Sequence, residues 1–163
     1  MKPLVVSSFR LIVIWCSLAS GAFGQSTRDK VTLLDEKTGS RTRVPCTVID
    51  HTGEFIRYRV REDGPVTVKR SSEVISIETP QVQSHIEALE NYASGQTKQA
   101  VSLFEQALKE EYRDWVRRDI LAMLVKCALR QNNYAQAGNR FLILYQSDPT
   151  TQYFKSIPLL WRT

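Results

Sequence analysis

The sequence predicts an α+β protein in which a small five-stranded β unit is followed by two α-helical hairpins. Five short apolar runs divided by turn residues occupy the stretch from Asp29 to Glu78. Four stretches with apolar residues at helical spacing follow from Pro80 onward. The change of pattern falls at Thr79-Pro80, which sets the expected units at 25–79 and 80–163, after a leader over 1–24.

The β runs are Lys30 to Leu34, Arg43 to Asp50, Phe55 to Arg61, Val66 to Lys69 and Val74 to Ile77. Gly39, Gly53 and Asp63-Gly64-Pro65 break the first four apart, so the strands are expected to be antiparallel hairpins. The third run alternates, which turns Ile56, Tyr58 and Val60 inward and Arg57, Arg59 and Arg61 outward. Five strands with Ser71-Ser72-Glu73 as a single helical turn before the last resemble the small barrels of the SH3-like and Sm-like type. The chain has no Sm signature motif, and Phe55 and Tyr58 are the aromatics available for an SH3-like peptide groove. An architectural likeness of this kind carries no function by itself.

In the helical part Thr79 is expected to cap the first helix, with Pro80 in its first turn and Gly95 at its end. Its inner face is Val82, Ile86, Leu89 and Ala93. The second helix, from Thr97, carries Ala100, Leu103, Phe104, Ala107 and Leu108 as an apolar stripe. Asp114 is expected to cap the third, which is apolar on more than one side and so should be sandwiched. The fourth runs from Tyr134 to Gln146, before Asp148-Pro149.

Gly95, Ala88, Ala100, Phe104 and Ala107 in one hairpin, and Asn132, Tyr134, Ala137, Phe141, Leu144 and Pro149 in the next, resemble the tetratricopeptide repeat. Small residues let paired helices approach closely and the aromatic fills the gap beside them. The chain departs from the family pattern at Tyr112, where proline is expected. Ala100 and Ala137 are 37 residues apart, against a family repeat of about 34. The resemblance implies that the leading helix of each repeat lines a concave groove. Aligned on Ala100 and Ala137, this places His85, Leu89 and Tyr92, then Asp119, Ala122, Lys126 and Arg130, as partner-binding residues. Two repeats leave their ends uncovered; the β unit and the tail Tyr153 to Trp161 are the expected covers, with docking of the tail on a second protein as the alternative.

Residues 1–24 have the three-part pattern of a cleavable secretory leader: Lys2 and Arg10, an apolar run from Leu11 to Ala19, and Ala22-Phe23-Gly24 before Gln25. The apolar run is too short for a membrane span, so none is expected after cleavage. Trp15 before Cys16 argues against a lipoprotein signal. A secreted or periplasmic protein is therefore expected. Composition, at 42% apolar and 24% charged, is that of an ordinary globular chain. The formal charge of +5, less Lys2 and Arg10, leaves +3, which gives no reason to expect a nucleic-acid partner. Cys46 and Cys127 are the cysteines that remain, so one intrachain disulfide is the most that can form; two reduced thiols are expected.

The chain has His51 and His85 as its histidines, neither spaced for a zinc site, and no nucleophile elbow, phosphate loop or Cys-x-x-Cys. No catalytic, metal-binding or cofactor-binding residue is assigned. Adjacent acids such as Glu110 and Glu111 point apart on a helix and make a weak candidate pair. The expected function is that of a non-enzymatic interaction module holding a protein or peptide. The alternatives are a polyanion or envelope-polymer binder using Arg43, Arg57, Arg59 and Arg61 on the β unit, and a cryptic hydrolase.

Overall fold

The structure is a computed structural model that describes residues 28–157. The leader, its expected cleavage before Gln25, and Leu159, Leu160 and Trp161 of the tail lie outside the described residues. The architecture is α+β. Strands β1 (Asp29–Leu34), β2 (Arg41–His51), β3 (Phe55–Arg59), β4 (Thr67–Arg70) and β5 (Val74–Glu78) form one antiparallel sheet in the order β4-β3-β2-β1-β5. A 3-10 turn, Ser71–Glu73, separates the last two strands, as the sequence predicts.

The sheet is not closed, which corrects the expectation of a barrel: β4 and β5 remain its two edges. β4 is only four residues long, and the turn that follows hands the chain directly to the far edge beside β1. The third strand also ends sooner than its alternation implies. Gly64 donates its N–H to the Arg61 carbonyl at 3.0 Å, closing a turn, and Val60, expected inside, is 46% exposed. Ile56 and Tyr58 are buried as expected.

Helices α1 (Gln83–Ala93), α2 (Thr97–Glu110), α3 (Asp114–Arg130) and α4 (Tyr134–Ser147) follow. Thr79 does not cap α1, which starts after Val82 with no side-chain cap. Its hydroxyl instead donates to Asp29 Oδ1 and accepts from Arg113 Nη1, both at 2.6 Å. Asp114 is the first helical residue of α3 and not its cap, a position where a carboxylate still meets the positive helix end. Asn133 caps α4, accepting from the Gln136 N–H at 3.2 Å. Gly95 and Asn132 take left-handed φ values of 82° and 56° just past α1 and α3, so each hairpin turns where its sequence predicts.

One face of the sheet and the helices share a core: Val31, Cys46 and Ile56 belong to the same buried cluster as Ala88, Ala100, Phe104, Ala107 and Ile120. α3 is the sandwiched element. It packs between α2 and α4, and β2 and the 3-10 segment Gln152–Ser156 also rest on it. Cys46 and Cys127 are fully buried free thiols, and burial pushes Cys46 up to about 11.

Candidate interaction site

The seven helical positions drawn from the repeat pattern separate into three environments. His85 is interior, 2% exposed, with its ring edge-on to Phe104 at 5.9 Å. Burial lowers its pKa, and Nδ1 has no partner. It cannot line an open groove. Ala122 is likewise buried, under Leu121, Leu144 and Tyr153. Asp119 lies beside it, and the Tyr153 hydroxyl donates to Asp119 Oδ1. Burial pushes the Asp119 carboxyl up to about 6, against the opposing pull of that hydrogen bond and of Arg118 and Lys126. The chain's own 3-10 segment thus occupies this end of the expected groove.

Tyr92, Lys126 and Arg130 form the third environment, with Leu89 packed against the core beside them. The Arg130 guanidinium lies 3.5 Å from the centre of the Tyr92 ring, and its Nη1 donates to the Tyr92 carbonyl at 2.7 Å. This contact joins the end of α1 to the end of α3 and adds a second donor to a carbonyl that already accepts the Gly95 N–H at 3.2 Å. Lys126 stands one turn before Arg130 and so shares its face.

The basic row expected on the sheet is interrupted. Arg43 forms an ion pair with Glu78 on β5. Arg57 pairs with Asp50 at 3.1 Å and lies over the Phe55 ring. Arg59 follows on β3, opposite Thr47, whereas Arg61 lies beyond the end of that strand. Two of the four cations are therefore matched by the protein's own carboxylates, and Arg43 is directed toward β5, away from the other three.

Two arginines that sequence reasoning passed over hold the sheet to the helices. Arg113 binds Glu111 through Nε at 2.8 Å and Nη2 at 2.7 Å, and also donates to Thr79 and to the Pro80 carbonyl. Hydrogen bonds from Arg113 outweigh the desolvation that would raise Glu111, and hold that carboxyl below its ordinary value. Arg118 is 6% exposed and pairs with Asp50 while donating to the His51 carbonyl at 3.0 Å. Asp50 behaves as Glu111 does: burial raises it, and Arg118 with Arg57 lowers it further. The available signal was Arg118 falling at helical spacing among Trp115, Ala122 and Val125, a charge on an otherwise buried stripe. Between these arginines opens a cleft of about 770 Å³, with Tyr112, 87% exposed, at its lip. That tyrosine is the residue at which the repeat pattern expects proline.

Among the described residues no cluster of three or more histidine, cysteine or acidic side chains is placed to hold a metal, and no helix is long and apolar enough to cross a membrane. Comparison with known families, with curated proteins and with solved structures gives no match.

Proposed function

We propose that this protein is an exported, non-enzymatic interaction module that holds a protein or peptide partner. The observation that carries the reading is Arg130 laid over Tyr92 across the ends of α1 and α3. An aromatic surface and a cation fixed in place before a partner arrives reduce the ordering cost of binding, and Lys126 adds a second cation on the same face. Such a surface suits a peptide with an acidic end.

The finer architecture belongs to the same proposal. Strand β5 beside β1, with a 3-10 turn before it, supports an SH3-like unit that has stayed open. The full burial of Ala88, Ala100, Ala107 and Ala137, with Phe104 among them, supports tetratricopeptide-like hairpins. The charged residues at the junction favour a scaffold: Arg113 and Arg118 are occupied by internal partners and tie the two parts together.

The test is a double change, Tyr92→Ala with Lys126→Glu, in the mature protein. Capture of the partner from envelope extracts is expected to be lost while the circular-dichroism spectrum stays unchanged and the melting point falls modestly, because Tyr92 also packs against the core. Capture that survives this change but disappears when Arg57 and Arg59 are neutralised moves the site to the sheet. Amino-terminal mapping of exported protein is expected to begin at Gln25; an intact Met1 overturns the export reading.

A further inference from the structure

β5 ends the sheet, pairing with β1 alone among the described residues. Along an antiparallel edge strand every second residue turns its N–H and C=O away from the neighbour, which makes such an edge a template for another strand. Proteins commonly guard such edges with lysine or proline, and Val74-Ile75-Ser76-Ile77-Glu78 contains neither.

A groove of about 490 Å³ runs beside this strand. Residues 74–79 line it without a gap, although alternate residues of a strand point to opposite faces. A groove that touches both sets follows the edge itself. Its opposite wall is α3 at Trp115 and Asp119, with Gln152 from the segment beyond α4. Trp115 is 3% exposed, and its indole Nε1–H has no acceptor. A buried donor left unpaired is costly, and because Nε1 is itself closed to solvent an incoming carbonyl reaches it only when the indole turns toward the groove. Glu78 and Asp119 line the groove, and no lysine or arginine does among the described residues; Arg43 already pairs with Glu78, so Asp119 is the acid that faces the groove without a cation of its own in the lining.

We propose that this groove binds an extended peptide as a sixth strand on β5. The Trp115 indole turns toward the groove so that a peptide carbonyl accepts its Nε1–H, and a lysine or arginine side chain of the peptide faces Asp119. The main-chain ladder supplies affinity, and the Asp119 carboxylate selects a basic side chain. A second copy of the chain is a poorer occupant, because its own β5 carries an α3 wall that would have to enter the same narrow space. None of the residues lining the groove belongs to the Tyr92–Arg130 contact, but Lys126 acts on Asp119, so Tyr92→Ala by itself is the change that separates the two sites.

The experiment uses the mature chain labelled with nitrogen-15. Its probe is an acetylated, amidated hexapeptide alternating valine with threonine and one lysine. At about ten times its Kd the probe is expected to slow exchange of the outward β5 amides about tenfold and to shift the Trp115 indole resonance. The same peptide N-methylated at alternate residues should not bind, because it cannot complete the ladder. Asp119→Asn should weaken the lysine peptide about tenfold, the scale of a charge-assisted contact, and leave a glutamine analogue unchanged. The Tyr92→Ala variant should bind the probe as the parent does. Equal binding of the N-methylated peptide, unchanged β5 exchange, loss of the probe in the Tyr92→Ala variant, or β5 protection that rises with protein concentration alone would each overturn the proposal.

Discussion

The Gly53 N–H donates to Asp148 Oδ2 at 2.9 Å, so the tip of the β2–β3 hairpin is held by the end of α4. Asp148 is itself fixed, its other oxygen accepting from Thr150 N at 3.0 Å and Thr150 Oγ1 at 2.7 Å. The approach is so close that a Cβ on Gly53 would stand 1.6 Å from the Thr150 carbonyl oxygen. Gly53→Ala is therefore expected to push the hairpin off the helices at a cost of about 3 kcal/mol, the upper part of the overpacking range. Urea denaturation reads the loss, and an unchanged midpoint would refute the contact.

Arg118 and Asp50 make a second tie between sheet and helices, and it is buried on the arginine side. Asp50→Ala leaves that guanidinium desolvated with the His51 carbonyl at 3.0 Å and Ser147 Oγ at 3.4 Å as neutral acceptors, and should cost ~3–5 kcal/mol. Replacing the pair together, Asp50→Leu with Arg118→Met, should recover much of the loss because no buried charge is then stranded; Arg57, which also loses Asp50, is half-exposed and stays solvated. A double change as damaging as the sum of both singles would show that the two side chains do not interact.

The periodicity of the helices was legible because it follows from burial: Phe104, Ile120 and Leu124 are interior where the 3.6-residue spacing puts them. Helix starts were less so. Thr79 has the chemistry of a cap, but the sequence does not reveal that Asp29 and Arg113, distant in the chain, compete for its hydroxyl. Sheet closure was illegible for a related reason, since it depends on whether β4 reaches β5 and not on any local pattern. At the candidate site, Tyr92 and Arg130 were named from the repeat register, yet their mutual stacking follows from how α1 and α3 meet. His85 was misplaced outward because one residue of rotation on α1 separates a groove position from the core. The β5 groove left no sequence signal, because an edge strand reads like any other.

Phe104 fills the space between α1 and α2, fully buried beside His85 and the small residues Ala88, Ala100 and Ala107. Those alanines allow the helices to approach, and the phenyl ring occupies what they leave. Phe104→Ala should cost ~3–5 kcal/mol through the cavity it opens, whereas Phe104→Leu should cost less because most of the volume remains. Equal stabilities for the two variants would place the ring outside the core.

Asp119 gives a pH dependence whose sign is fixed. Its folded pKa of about 6 lies above the ordinary 3.8, chiefly because burial disfavours the carboxylate. The folded state therefore binds this proton more tightly than the unfolded chain does. The stabilising contribution is complete below the unfolded value and is lost as pH rises through the folded one. The gap of about two units corresponds to at most ~3 kcal/mol. Asp50 and Glu111, held low in the fold, act oppositely and weaken the protein in acid, so the parent's profile mixes both effects. Comparison with Asp119→Asn isolates one of them, because the amide oxygen can still accept from Tyr153 but carries no charge. The variant should melt with the parent near pH 4, and its advantage should grow between pH 4 and 6 and persist at pH 8. Carbon-13 titration of the Asp119 carboxyl supplies the independent check. Its midpoint should lie well above the ordinary carboxylate range and rise further in Tyr153→Phe, which removes the hydrogen bond that favours the charged form. A midpoint near the unfolded value, or an Asn variant less stable than the parent at pH 8, would show that the Asp119 carboxylate is solvated.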